Sequence, residues 1–378
     1  MPHRPTLWID DADALRARIA TPPARIGLDT EFIRERTYWP QLALVQLALD
    51  DALLLVDPLR PGMAAVVRAL LDNTACTKVM HSAGEDLVAL KHWCGALPRP
   101  LFDTQVAAAL CGLGAGLGYQ RLVGDVTGVA LGKGETRSDW MRRPLTPSQC
   151  DYAADDVRHL FALQDALAPK LAALGRVGWF EEDCARLVEN VERDAPERWP
   201  HLSLRAAQYL DADGRNRLLR LLRWRDAYAR EHDRPRGWIL DNEVASALAR
   251  EPARDAAELQ QRLDAQPKAP RKLAAALWTA LTTPLPDEAD APLPRTEERD
   301  RNAVRRLQDA VAARSGELGL PDGVLASRRW LELLLDAEDA GSAWPGPLSG
   351  WRRAELEPAL APLLRRAADA EDAAAPAA

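Results

Sequence analysis

Two acids one residue apart, Asp29 and Glu31, interrupt an otherwise apolar stretch, RIGLDTEF over 25–32. If that stretch is a strand, its side chains alternate, and both carboxylates leave one face about 7 Å apart. Such charges repel unless a cation lies between them. A hard, oxygen-preferring divalent ion would answer that need. A strand end with two solvated acids is the structural alternative. A second group, His81-Ser82-Ala83-Gly84-Glu85-Asp86, follows a short candidate strand at 77–81 and opens a helix. Capping and the helix dipole favour acids there, and account for one acid more readily than for two. A third group, Tyr152-Ala153-Ala154-Asp155-Asp156, lies on a helix that begins near Pro147. Tyr152 and Asp156 are four apart and share a face, with alanines between them that leave room for close approach. A half-buried tyrosine beside an exposed aspartate pair would read the same way.

The elements that must position these groups are legible in outline. Residues 25–32, 42–49 and 52–57 are short apolar runs bounded by turn residues, the last two forming a hairpin around Asp50-Asp51. Helical periodicity follows over 62–72, 84–93, 104–111 and 148–168. Strands alternating with helices predict an α/β first half, up to about residue 190, with a mixed sheet flanked by helices. Residues 112–118 and 131–144 read as loops. Beyond 186 the strand signal fades, and short helices with proline-containing breaks remain. Boundaries near 193–204 and in the proline- and acid-rich 282–297 separate two all-helical segments, 205–281 and 298–368.

At 378 residues, 47% of them apolar and 28% charged, the chain suits a globular protein of two or three domains rather than a disordered or fibrous one. A net charge of −7 excludes a wholly basic nucleic-acid binder but not a locally basic groove. No apolar run reaches the ~18–20 residues of a membrane span, and the acidic N-terminal stretch is unlike a secretion signal, so a cytoplasmic protein without membrane contact is expected. Five cysteines without a Cys-x-x-Cys pair suit reduced thiols and offer no zinc cluster. Gly132-Lys133 lacks the spacing and the Ser or Thr of a phosphate loop. His81, His92 and His159 lack ligand spacing. Asp103 reads as a cap or support for the helix that follows it.

Taken together, Asp-x-Glu, then Asp86, then Tyr152-x-x-x-Asp156, in this order and spacing, resemble the signature of the DEDD-superfamily 3′→5′ exonucleases, tyrosine subclass. The histidine subclass would need histidine where Asp151 stands. Within that superfamily, residues 1–185 are similar to the ribonuclease D family. The resemblance rests on LDTEFIRERTYWPQLALVQLA (28–48), MHSAGEDL (80–87), LFDTQVAA (101–108) and ETRSDWMRRPLTPSQCDYAADDV (135–157). The helical remainder resembles two HRDC domains, through strings at 221–249, 319–335 and 350–360.

The resemblance implies an exonuclease domain over 1–190, HRDC domains over 205–281 and 298–368, and two divalent metal ions, Mg²⁺ or Mn²⁺, held by Asp29, Glu31, Asp86 and Asp156. Asp29 would bridge both ions, and Tyr152 would orient the attacking water. The implied reaction is phosphodiester hydrolysis from an RNA 3′ end, releasing nucleoside 5′-monophosphates, with tRNA precursors and other small structured RNAs as substrates. A single-stranded DNA exonuclease and a non-catalytic RNA-binding HRDC protein are the alternatives. Lys133 and Arg137, with Trp140, Arg142 and Arg143, precede the Tyr152 helix. Lys133 or Arg137 could meet substrate phosphates, while Trp140 is expected to pack. Eight arginines between 215 and 236 form the most basic stretch, either an RNA-facing surface or a solvated helix face with ion pairs. A monomer is expected.

Overall fold

In a computed structural model of the chain, the apolar runs become the strands of one six-stranded mixed sheet, ordered β1-β4-β3-β2-β5-β6. The structure describes residues 4–21, 23–132, 135, 138–266, 269–294, 301–339 and 341–372. The strands are β1 (Thr6–Ile9), β2 (Arg25–Ile33), β3 (Gln41–Ala48), β4 (Leu53–Val56), β5 (Thr77–Met80) and β6 (Leu101–Asp103). The expected hairpin is present: β3 and β4 pair antiparallel, with Ala48 opposite Leu53 across the Asp50-Asp51 turn. β1 runs parallel to β4, and β5 parallel to both β2 and β6. β1 and β6 have no counterpart among the sequence-predicted strands. Both are short: β1 exposes most of its length, and β6 has three residues, too few for an alternating pattern to register.

Helices α1 (Ala12–Arg18), α2 (Met63–Asp72), α3 (Gly84–Cys94), α4 (Thr104–Leu110), α5 (Tyr119–Thr127), α6 (Pro147–Arg158), α7 (Leu160–Ala173) and α8 (Val177–Arg193) accompany the sheet. The single helix predicted over 148–168 is two, α6 and α7, broken at His159. The break has a physical cause. The Tyr119 hydroxyl stands between the Asp155 carbonyl and the His159 N–H, which in an unbroken helix would bond each other.

The chain forms two compact units. The first contains 1–33, 42–193 and 300–378. Its core joins the sheet residues Ile26, Leu28, Val45, Leu54 and Val79 to Phe180 and Val188 of α8. It also takes in the buried side chains of α14 (Arg301–Leu318), α15 (Arg328–Asp339) and α16 (Trp351–Asp372). Trp179 stacks on Trp351 with centroids 4.4 Å apart, and Arg352 forms a buried ion pair with Asp183. The C-terminal helices thus share one apolar interior with the sheet.

The second unit contains 34–41 and 194–299 and is helical: α9 (Ala212–Glu231), α10 (Arg236–Ile239), α11 (Asn242–Arg250), α12 (Ala256–Asp264) and α13 (Ala274–Thr282). Leu218, Leu221 and Leu222 of α9 pack against Val244 and Leu248 of α11 and Leu277 and Leu281 of α13. The 34–41 segment is held there by Asp233, which accepts from the Tyr38 and Trp39 N–H groups at 2.9 and 3.0 Å. The basic stretch 215–236 is largely consumed inside this unit. Arg220 pairs with Glu288, Arg223 with Asp287, and Arg230 and Arg236 with Asp226. Arg215, Arg217 and Arg225 donate to the carbonyls of Leu210, Ala249 and Leu240. Arg234 is exposed. This α/β sheet followed by helices, the latter consistent with HRDC domains, is the architecture expected from the sequence. Among the described residues no helix is long and apolar enough to cross a membrane.

Candidate active site

Strand β2 sets the first two carboxylates. Ile26, Leu28 and Thr30 are buried on one side. Gly27, Asp29 and Glu31 alternate to the other. A Cβ at Gly27 would lie 2.8 Å from the Ala48 Cβ and 3.2 Å from Leu160 Cδ1. Glycine is therefore required where α7 begins over the sheet, and the acids on that face lie under the α6–α7 corner.

Asp86 comes from the first turn of α3. Sequence alone left open whether it merely caps α3. No side chain caps α3; Asp103 instead holds the turn that leads into it. One Asp103 oxygen accepts from the N–H groups of Ser82 and Gln105 at 3.1 and 2.8 Å, and the other from Ala83 at 2.8 Å. Asp103 thus closes the α3 turn, where Ser82 sits at φ +56°, while also N-capping α4. Its expected capping role is observed at α4, and it also holds the Ser82-Ala83 turn before α3. Asp86 is buried and accepts a hydrogen bond from the Thr30 hydroxyl. Thr30 is invisible as a site residue in the sequence, because a threonine between two acids carries no periodic signal.

Helix α6 brings the last pair. It starts with Pro147 and a reciprocal Thr146–Gln149 capping box. Ala153 and Ala154 are buried against the protein, as their small size allows. Tyr152 and Asp156 fall one turn apart, and the phenol is hydrogen-bonded to the carboxylate.

These segments converge on one another electrostatically. Burial first, and then the charges of Asp86, Asp156 and Glu31, push the Asp29 carboxyl well above the usual carboxylate range. Burial, Asp156 and Asp86 raise Glu31 to about 8. Burial raises Asp156 to about 7, with Asp155 and Asp86 adding to it and the Tyr152 hydrogen bond opposing it. Burial also raises Asp86 to about 7, against the hydrogen bond from Thr30. The Tyr152 phenol is pushed far up by burial, Asp156 and Glu31, so at neutral pH it is a neutral donor and not a base.

Among the described residues, no three His, Cys, Asp or Glu side chains already stand as a closed ligand shell. What joins the four acids is their common field. The set nevertheless fits a divalent cation. All four donors are hard carboxylate oxygens, and the repulsion that keeps protons on them is what a divalent charge would relieve.

The other candidates divide. Lys133 and Arg137 lie outside the described residues. Trp140 packs as expected, 3% exposed, with Leu44, Leu55 and Ala153. Arg143 is a structural cation, bonded to both Asp57 oxygens at 3.1 and 2.7 Å and to the Ala43 carbonyl. Arg142 is exposed. The cysteines are free thiols, as anticipated.

Comparison with known proteins identifies the family and the fold. A family described as 3′-5′ exonuclease matches residues 7–172. The ribonuclease D of Xanthomonas oryzae pv. oryzae is 61% identical over 96% of this chain and 99% of its own length. That of Shewanella sp. is 32% identical over 91% of this chain and 90% of its own length. The crystal structure of Escherichia coli RNase D, described as an exoribonuclease involved in structured RNA processing, superposes with a TM-score of 0.84 at 30% identity. It covers 96% of this chain and 99% of that one. The chain therefore belongs to the ribonuclease D family of 3′→5′ exoribonucleases, hydrolases that act on RNA.

Proposed function

We propose that the chain is a cytoplasmic, monomeric exoribonuclease that trims the 3′ ends of tRNA precursors and other small structured RNAs, dependent on two divalent ions, Mg²⁺ or Mn²⁺. In this reading residues 1–190 are the exonuclease domain, and 205–281 and 298–368 are HRDC domains. Asp29, Glu31, Asp86 and Asp156 are the residues that would hold the ions, with Asp29 shared between them. When bound, the ions supply positive charge against an anionic phosphodiester and acidify water. The carboxylates keep that charge at one place, and Thr30 fixes Asp86 for it. Tyr152, neutral and anchored to Asp156, orients the attacking water through its hydroxyl, so that a nucleoside 5′-monophosphate leaves.

The observation that carries the proposal is the mutual electrostatic coupling of acids drawn from β2, α3 and α6. Its test compares matched RNA and DNA oligonucleotides with Mn²⁺ and with excess EDTA. RNA should shorten from the 3′ end to 5′-monophosphates only with metal, Asp29→Asn should be inactive but folded, and Tyr152→Phe should turn over slowly while retaining metal-induced stabilisation. Digestion in EDTA, or full activity in Asp156→Ala, would refute it. Faster digestion of DNA would replace the substrate assignment.

Lys133 and Arg137, which precede the Tyr152 helix in the sequence, remain the candidates for phosphate contact. For RNA binding by the 215–236 stretch, Arg234 is the cation to reverse, since its neighbours are committed to carboxylates and carbonyls within their own unit. Truncation at 205 would be a poor test, because it strips α14–α16 from the core of the first unit.

A further inference from the structure

The corner between α6 and α7 lies three residues beyond Asp156, and no proline makes it: the nearest are Pro147 and Pro169. The wedge is Tyr119, the first residue of α5. Its hydroxyl donates to the Asp155 carbonyl at 3.0 Å and accepts from the His159 N–H at 3.1 Å. It thereby occupies one rung of the helical ladder. A neutral phenol suits this place because the rung needs one donor and one acceptor, and a hydroxyl is both. The Asp155 carbonyl belongs to the peptide unit that leads directly into Asp156. Pinning that peptide fixes the direction in which the Asp156 side chain leaves the helix. The ring is itself braced: it packs edge-on against His81, centroids 5.6 Å apart, at the end of β5. His81 in turn bonds Thr104, whose hydroxyl donates to the Met80 carbonyl. Burial, with the charges of Asp156 and Asp29, pushes the Tyr119 phenol up against the His159 N–H bond, so the hydroxyl stays neutral.

We propose that Tyr119 is a positioning residue: its hydroxyl, inserted into the α6 ladder at Asp155, holds Asp156 at the angle that turns its carboxylate toward Asp29 and Glu31, and so tunes the affinity of that cluster for a divalent cation. The proposal rests on the carboxylate-site reading above. Without the hydroxyl the ladder can close, His159 N–H to Asp155 carbonyl, and the helix straightens through the position that Asp156 needs. Folding survives such a closure, because one helical hydrogen bond replaces the two made to the phenol.

The test is Tyr119→Phe in the full chain, with melting temperature followed against Mn²⁺ concentration. The Mn²⁺ midpoint should rise about tenfold, the size typical when a group that orients a metal ligand is removed. kcat should fall at saturating Mn²⁺, and the metal-free melting temperature should move little. A role confined to stability would lower the metal-free melting temperature and leave the Mn²⁺ midpoint alone, and that result would overturn the proposal. Asp156→Asn separates the two readings. If it too leaves the midpoint unchanged, the carboxylate site fails; if it abolishes the response while Tyr119→Phe matches the parent, only the wedge fails. Should Tyr119→Phe not fold, amide exchange in the parent decides. Mn²⁺ must slow exchange across 155–160, because wedge and cation then favour the same conformation. Unchanged exchange there would overturn the proposal.

Discussion

Replacing Glu31 by Gln should make the metal-free protein more stable while removing its activity. Glu31 has an ordinary value of 4.5, and burial with Asp156 and Asp86 lifts it to about 8 in the fold. The folded value exceeds the unfolded one. This part of the stability is therefore intact below about pH 4.5 and lost as pH rises toward 8. At pH 7 the fold keeps Glu31 protonated, against a cost of about 3 kcal/mol at about 1.4 kcal/mol per pH unit. Glutamine keeps the shape without that cost. The variant should melt on the order of 5 °C higher at pH 7 in EDTA. The same arithmetic gives about 1 kcal/mol at pH 5, so the advantage should shrink there. Differential scanning calorimetry at pH 5, 6, 7 and 8 measures the trend. Excess Mn²⁺ should reverse the ranking, because the parent gains a cation that the variant holds poorly. Equal or lower melting of the variant at pH 7 in EDTA would show that burial and its charged neighbours do not hold Glu31 protonated, and the reasoning would fail.

Further consequences follow from the same site and its supports. Mn²⁺ binding at pH 7 should release protons, since Glu31, Asp86 and Asp156 titrate near 7 to 8 in the metal-free fold. Calorimetry in buffers of different ionisation enthalpy should show it, and the release should fall as pH rises from 7 to 9. Asp103→Ala should destabilise the first unit by about 3 kcal/mol in urea denaturation, because buried N–H groups at the starts of α3 and α4 lose their acceptor. It should also weaken Mn²⁺ stabilisation, since Asp86 rides on that turn. Asp183→Ala should cost about 3–5 kcal/mol by leaving the buried Arg352 guanidinium without its carboxylate. Joint replacement of Asp183 and Arg352 by Leu and Met should recover much of that loss in the same assay.

The strands and the acids were legible in the sequence because both carry a local signature. The β2 run alternates, the β3–β4 hairpin turns at adjacent aspartates, and the acids stand out against apolar or alanine-rich surroundings. What was not legible depends on residues that meet only in space. The α6–α7 break has neither glycine nor proline to mark it, since its cause, Tyr119, lies 36 and 40 positions from its partners. Asp103 could be read as a cap for the helix it precedes, yet nothing local shows that it also holds the turn before α3. The arginines of 215–236 look like an exposed basic face until Asp226, Asp287 and Glu288 are placed beside them. The packing of α14–α16 onto the first unit is hidden for the same reason, since Trp351 and Arg352 find Trp179 and Asp183 only through the fold.

The most direct test of the carboxylate site is anomalous diffraction from a crystal soaked in Mn²⁺. The account predicts two manganese peaks, with oxygen ligands from Asp29, Glu31 and Asp156 and with Asp29 touching both. Manganese bound elsewhere, or no ion touching more than one of Asp29, Glu31, Asp86 and Asp156, would contradict it.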